Sequence, residues 1–326
     1  MRKLIWGKGV LDPVQTELDP VEFPHRSQIC AAIVTFNIGE ALHRCVDAIQ
    51  NQVGHVLIVE NGSGEPTRRE LSRLTAPDSV TVILNEHNEG IARAFNQAVE
   101  WARGGGFQWI LLLDHDSEAT PGMVEELVRG YETLDRAGIR NVGILAASPF
   151  DRNIQRYLYC PPRANGGLPL QGGEVISAGS LIRLGVFDVV GPFNEDLFIY
   201  FVDVDFYKRL VRAGFGAYIC PEAVFLHQEG LKKRHRFLWI DAWYDHYGKE
   251  ARYYLTRNTI YVITKLPVSR GDIRVLIHRL WTDHVNILLF DKERFGVLWF
   301  SFRGLIDGLR GKVGPMNSVS KTGSIG

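Results

Sequence analysis

A run of large apolar residues, Trp109-Ile-Leu-Leu-Leu113, ends in Asp114-His115-Asp116-Ser117. Such a run reads as a buried strand, and it carries two carboxylates, two residues apart, at its carboxyl end. Open α/β sheets bind ligands just beyond the carboxyl ends of their strands. Two hard oxygen donors there suit a divalent ion, because Mg²⁺ typically takes one or two protein carboxylates plus substrate phosphates. The chemistry indicated is that of a nucleotide or a nucleotide-sugar.

The chain around this run alternates strand and helix patterns. Ile29–Thr35, residues 56–59 and residues 80–84 read as further strands. Residues 39–51 carry Leu42, Cys45, Val46 and Ile49 at helical spacing, and residues 91–103 form a second helix closed by Gly104-Gly-Gly. Thr120-Pro121 is expected to start another helix as N-cap and first residue, with Val124, Leu127, Val128, Tyr131 and Leu134 inward. This alternation implies a mostly parallel sheet with right-handed crossovers. Further on, residues 142–146 and 175–182 read as strands, 149–175 as an exposed loop and 205–213 as a helix ending at Gly214. Residues 1–28, with Pro13, Pro20 and Pro24, read as an irregular arm, and residues beyond about 230 as mostly helical.

Composition excludes more than it selects. A chain of 326 residues with 45% apolar composition can bury a large core, and its net charge of zero gives no argument for nucleic-acid binding. The four cysteines are scattered without a CxxC pair, which argues against a zinc site and for a reducing compartment. The first residues lack the apolar region of a secretory signal. No uninterrupted apolar run reaches the ~18 residues of a membrane span. A cytoplasmic location is expected.

Four strand-end loops carry polar side chains: Thr35-Phe36-Asn37, Glu60-Asn61-Gly62-Ser63, Asn88-Glu-Gly90-Ile-Ala92-Arg93-Ala-Phe-Asn96 and Asp114-His115-Asp116-Ser117. Singly, each reads as a turn or a helix cap. In this order they resemble the family 2 glycosyltransferases of GT-A fold, and within them the bacterial rhamnosyltransferase-like group. Members show Thr-Tyr/Phe-Asn, then Asp-Asn-Gly-Ser, then Asn-x-Gly-Ile-Ala-x-Ala-x-Asn, then Asp-x-Asp-Ser. The resemblance runs from about residue 31 to 258. It implies a GT-A catalytic domain over residues 29–230, with a nucleotide-binding half (29–117) and an acceptor-side half (118–230), followed by a helical region at 231–326.

By this resemblance Thr35, Phe36, Asn37, Glu60, Asn61, Asn88, Gly90, Ala92 and Arg93 belong to the nucleotide-sugar site. Glu60 stands where the family usually has Asp, which keeps the charge and changes the reach. Asp114 is expected on the ribose side and, with Asp116, at a metal that bridges the donor diphosphate. His115 shares the motif, although strand alternation turns it away from the two aspartates. His227, at the end of the 218–226 strand pattern, is either structural or the third metal contact. An EF-hand fails because Ala119 stands where glycine is needed. A haloacid-dehalogenase nucleophile fails because Glu118 stands where Thr or Val belongs.

A second acidic site, Val202-Asp203-Val204-Asp205, opens a helix pattern. Carboxylates are favourable at a helix N-terminus by ~0.3–1 kcal/mol each, which accounts for one of them. The family has Glu-Asp-x-Asp here, with a carboxylate as general base. The resemblance therefore puts the base at Asp203, with Asp205 as the weaker candidate. Ser177-Ala178-Gly179-Ser180 reads either as space for an acceptor sugar or as tight backbone packing.

Residues 231–237 form a basic cluster, read as a solvated face or as an anion contact. Arg257, in Tyr253-Tyr254-Leu-Thr-Arg257-Asn258, resembles a group motif and is a candidate phosphate clamp, since a guanidinium binds phosphate bidentately. Apolar stretches at 287–290 and 295–300 between basic residues read as a packing helix, a homodimer contact or an amphipathic helix on a membrane surface.

The resemblance implies an inverting transferase using Mg²⁺ or Mn²⁺. It would move a sugar, L-rhamnose from dTDP-L-rhamnose in first place, onto a hydroxyl of a polysaccharide or lipid-linked glycan. Galactosyl, galactofuranosyl or other hexosyl transfer from a UDP-sugar is the alternative on the same fold. The rival from another class is a non-catalytic sugar-nucleotide or glycan-binding module.

Overall fold

The computed structural model describes residues 24–39, 41–74, 79–227, 232–237, 240–266 and 268–316, with the backbone alone for 232–237 and 240–245. Strands β1 (Ile29–Thr35), β2 (His55–Asn61), β3 (Val80–Asn85) and β4 (Trp109–Asp114) form on the apolar runs of the sequence. Helices α1 (Ala41–Ile49), α2 (Glu65–Arg73) and α3 (Ile91–Gly104) connect them. The four strands are parallel, in the order β3-β2-β1-β4. Strand order therefore reverses between β1 and β4, and such a switch point opens a crevice at the carboxyl ends of the strands.

Period-2 alternation divides each strand between two cores. Cys30, Ala32 and Val34 of β1 face one cluster with α3, while Ile29, Ala31 and Ile33 face the other with α1. Burying one such aliphatic side chain stabilises the fold by roughly 1.5–3 kcal/mol.

The second half adds β5 (Glu118–Ala119), α4 (Met123–Arg136), β6 (Val142–Asp151), β7 (Arg156–Tyr157), β8 (Leu170–Gln171), β9 (Ser180–Arg183), α5 (Val186–Val190), α6 (Val202–Arg212) and β10 (Gly216–His227). β9 inserts antiparallel between β4 and β6, and β10 runs parallel to β6. A two-stranded ribbon, β11 (Lys232–Phe237) and β12 (Ile240–Asp245), precedes α7 (Lys249–Lys265), α8 (Arg270–Phe290) and α9 (Arg294–Leu309). Val262 of α7 and Leu276 of α8 join the same core as β1 and β4. No helix among the described residues is long and apolar enough to cross a membrane.

Several expectations are corrected. α4 begins at Met123 behind Gly122 in the left-handed region, not at Thr120-Pro121, because the Thr120 hydroxyl donates to the Val224 carbonyl instead of capping. The strand expected from residue 175 begins at Ser180. Gly179 turns the chain at φ +78, and the Ser180 hydroxyl closes that turn on the Ile176 carbonyl. A side chain at Gly179 would strike the Phe225 ring, so at this position the glycine serves packing. α2 was not expected, since its sequence is mostly polar, and the ribbon was not separated from the helices after it. Residues 1–23 of the expected arm, and the side chains of the basic cluster at 231–237, lie outside the described residues.

Candidate active site

Parallel register gathers the strand-end residues along one edge. Thr35 pairs with Glu60, Asn61 with Asn85 and Val34 with Asp114. Glu60 is fully buried, and its Oε1 accepts from the Ser63 amide at 2.5 Å. Its Oε2 and the Oγ1 of Thr35 are buried without a hydrogen-bond partner among the described residues. Two unmatched polar atoms on neighbouring strands are costly, at roughly 1–3 kcal/mol each, unless something else satisfies them. They mark this edge as built for a hydrogen-bonding ligand.

Other loop residues shape the edge rather than face it. Asn37 sits at φ +52 and accepts from the Gly64 amide, which joins the first loop to the second. Asn61 donates to Asn88 and to the Gly90 carbonyl, and accepts from Asn85 and the Glu89 amide. Gly90 (φ +86) leaves room only for hydrogen, because a Cβ would meet the Phe198 ring at 2.6 Å. Ala92 is fully buried in the core and does not reach the edge. Arg93 pairs with Glu195 at 3.4 Å, and Asn96 binds Phe193 and Glu195, so α3 holds the 193–195 loop. Phe36 is exposed beside the edge.

A turn closed by the Ser117 amide on the Asp114 carbonyl brings both aspartates to one side of β4. His115 lies within that turn, its carbonyl accepting from the Cys45 thiol at 2.9 Å. The short strand β5 pairs antiparallel with β10, Glu118 opposite Leu226, and this places His227 beside Ser117. His227 Nδ1 lies 3.4 Å from Ser117 Oγ and 3.8 Å from Asp116 Oδ1. One ligand atom from each of Asp114, Asp116 and His227 lies within 4.8 Å of the others. Burial pushes the Asp114 carboxyl above its ordinary range, and the Asp116 charge pushes it further, while His227 works against this. Two carboxylate oxygens and an imidazole nitrogen at the switch point fit a divalent cation that also takes phosphate oxygens.

Asp203 lies near enough to Asp114 for that charge to act on it. The loop before it holds Phe198, Tyr200 and Phe201 at φ +62, +63 and +63, conformations that cost of order 1–3 kcal/mol each for residues other than glycine. Helix α7 holds that loop. Asn258 Nδ2 lies 3.0, 2.7 and 3.0 Å from the carbonyls of Leu197, Ile199 and Tyr200. The Arg257 guanidinium donates to the carbonyls of Asp196, Leu197 and Gly314, between the rings of Tyr253 and Tyr254. Phe198 stacks on Tyr254 at 5.0 Å. Arg257 is 1% exposed, so it is a clamp on the backbone and not on phosphate, which corrects the expectation from its motif.

The two acids of α6 part company. They stand about 200° apart around the helix, since each residue turns ~100°. Asp205 is 1% exposed and pairs with Arg209 one turn on at 2.8 Å, while Arg209 also holds the Val190 and Pro192 carbonyls. It is therefore a structural acid. The Asp203 carboxylate accepts from the Val204 amide at 2.9 Å and from its own backbone amide, and it has no ion-pair partner among the described residues. Burial raises the Asp203 carboxyl to about 6, against hydrogen bonds that lower it, and the charge of Asp114 adds to the rise. The sequence offered the signal for this split, because Asp205 and Arg209 have the i,i+4 spacing of a helical ion pair.

One strand-end acid was missed. Asp151 closes β6 opposite His227, is fully buried, and its Oδ2 has no hydrogen-bond partner among the described residues. Its signal was a carboxylate at the end of an apolar run, as at Asp114.

Residues 30–189 match the family described as "Glycosyl transferase family 2". Among curated proteins, the chain is 24% identical over 302 residues to the dTDP-rhamnosyl transferase RfbF of Shigella flexneri, covering 88% of this chain and 97% of that one. It is 25% identical over 221 residues to the galactofuranosyltransferase GlfT1 of Mycolicibacterium smegmatis, covering 63% and 72%. The crystal structure of S. aureus TarS 1–349 in complex with UDP-GlcNAc shares the fold, with a TM-score of 0.54 at 12% identity over 86% of this chain and 80% of that one. Residues 30–189 are therefore a family 2 glycosyltransferase domain, and the chain has the GT-A fold.

Proposed function

We propose that the chain transfers L-rhamnose from dTDP-L-rhamnose to a hydroxyl of a polysaccharide or lipid-linked glycan, with inversion at the anomeric carbon. The observation that carries this reading is the meeting of two halves at one edge. Unmatched donor and acceptor atoms on Thr35 and Glu60 lie along the strand ends from Asp114, Asp116 and His227, and Asp203 feels the Asp114 charge.

Thr35 and Glu60 would receive the nucleotide base or ribose. Asp114, Asp116 and His227 would hold Mg²⁺ or Mn²⁺, which when bound offsets the negative charge that builds on a departing nucleoside diphosphate. Asp203 would take the proton of the acceptor hydroxyl as that oxygen attacks from the face away from the nucleotide. A carboxyl at about 6 is still mostly ionised at neutral pH and is a stronger base than an ordinary aspartate. The rhamnosyl assignment leans on the likeness to RfbF over nearly all of both chains.

The test is turnover of dTDP-rhamnose, UDP-galactofuranose and other UDP- and GDP-sugars, read by mass spectrometry with and without Mn²⁺. Metal-dependent consumption of dTDP-rhamnose, with sugar appearing on an acceptor, is expected. The Asp203→Asn variant should lose ~10²–10⁴ of that rate. Consumption of a UDP-sugar alone would overturn the donor. Binding of donor without any turnover would leave a non-catalytic module.

A further inference from the structure

Helix α9 buries Val297, Ser301, Gly304, Asp307 and Gly308, with Phe300 partly buried against the Tyr253–Tyr254 cluster. Three of those five buried positions are small, and a Cβ on Gly304 would collide with the Tyr253 carbonyl of α7. Several of its largest apolar side chains point away from the protein. Phe295, Trp299, Phe302 and Leu309 follow at spacings of four, three and seven, which draws one stripe along the helix. They are 81%, 62%, 53% and 65% exposed. α8 repeats the pattern, with Ile277, Trp281 and Leu288 exposed at spacings of four and seven. A surface helix of a soluble domain normally turns such a stripe inward, and a contiguous exposed apolar patch marks an interaction site.

Charge selects the occupant. Residues 270–312 hold eight arginines and lysines against five carboxylates. Each carboxylate is engaged. Asp272 caps α8 and meets Lys208, Asp283 pairs with Arg252, Asp291 with His246, Glu293 with Lys249, and Asp307 with Lys312. Arg270, Arg274, Lys292 and Arg310 are exposed and make no ion pair among the described residues. Lys292 and Arg310 flank the aromatic stripe of α9 at its two ends. Apolar aromatics bracketed by unpaired cations are the composition of a helix that lies in the plane of a bilayer surface. A second copy docking by the same face would bring unpaired cations against cations.

We propose that the α9 face, with Phe295, Trp299 and Phe302 as its apolar stripe and Lys292 and Arg310 at its ends, docks the protein on an anionic lipid bilayer. This holds whatever sugar the active site transfers. It places the catalytic cleft beside a membrane, where an acceptor carried on lipid would be within reach.

The full chain should co-sediment with vesicles of phosphatidylglycerol and phosphatidylcholine, with a blue shift of tryptophan emission. It should bind pure phosphatidylcholine far less. The double variant Phe295→Ser, Trp299→Ser should lose at least about tenfold in partitioning while its melting temperature and donor hydrolysis in solution stay unchanged. If that variant fails to fold, Phe302→Ser with Leu309→Gln serves in its place. Lys292→Gln and Arg310→Gln should each weaken binding to the anionic vesicles by roughly fivefold. Equal partitioning of the parent and the aromatic variant would overturn the proposal. So would a parent dimer in sedimentation velocity that the aromatic variant dissolves, because the occupant would then be a second copy.

Discussion

Replacing Asp203 by asparagine should stabilise the protein while disabling it. The Asp203 carboxyl is raised from 3.8 to about 6, with burial as the largest cause. A carboxyl whose folded value lies above its unfolded one binds more protons in the native state between those two values. Its contribution to stability is thus fully present below about 4 and is lost as pH rises through 6. Two units at 1.36 kcal/mol each set an upper bound of about 3 kcal/mol on that loss. Partial solvent access at the cleft brings the expected figure to ~1–3 kcal/mol. Asparagine cannot ionise, and its carbonyl can keep the bond that Val204 now donates to Asp203. The assay is thermal unfolding of parent and variant at pH 8, 6 and 4 with a chelator present, so that no cation alters the local charge. The variant should melt higher at pH 8, by roughly 2–4 °C for each kcal/mol, and the gap should close towards pH 4. A gap that is absent at pH 8, or that persists unchanged at pH 4, would refute burial as the source of the raised value.

Mn²⁺ at a hundredfold excess over its Kd should add about 2.7 kcal/mol to the stability of the parent and nothing to Asp116→Asn, as read by melting with and without the ion. Arg257→Ala should cost roughly 3 kcal/mol or more in denaturant unfolding, since it strips three carbonyls and two aromatic rings of their partner. Gly304→Ala should cost ~1–3 kcal/mol, because the new methyl meets the α7 backbone rather than a movable side chain.

Much of the nucleotide-side architecture is legible in residues 29–117. Each strand there is built on an apolar run, and the runs of β1, β2 and β4 are those of strands buried on both faces of a sheet. The helices with a clear 3.6-residue stripe, α1 and α3, are equally legible. α2 is not, because its stripe is only Thr67 and Leu71 in a polar sequence. β9 is not either, because a four-residue segment with only Leu181 and Ile182 apolar carries no information about which strands it will enter between, or in which direction. In the candidate site, Asp114 and Asp116 could be read from their place after a strand. The separation of Asp203 from Asp205 needed the helix phase and the Arg209 partner. The Tyr-Tyr-x-x-Arg-Asn segment kept its importance and changed its role, since burial turned a candidate phosphate clamp into the brace of the 196–201 loop.

The order of residues alone determined that this chain makes a mostly parallel α/β sheet with acids at its rim, because periodicity and the strand-end position of polar side chains are local properties. Only the tertiary structure decided which acids stay open to a ligand, which are neutralised inside, and that α9 turns its aromatic side outward. Those outcomes depend on strand register, on loops held at positive φ by a distant helix, and on glycines that let two helices touch. Each brings together residues far apart in the chain, and no local pattern encodes such a meeting.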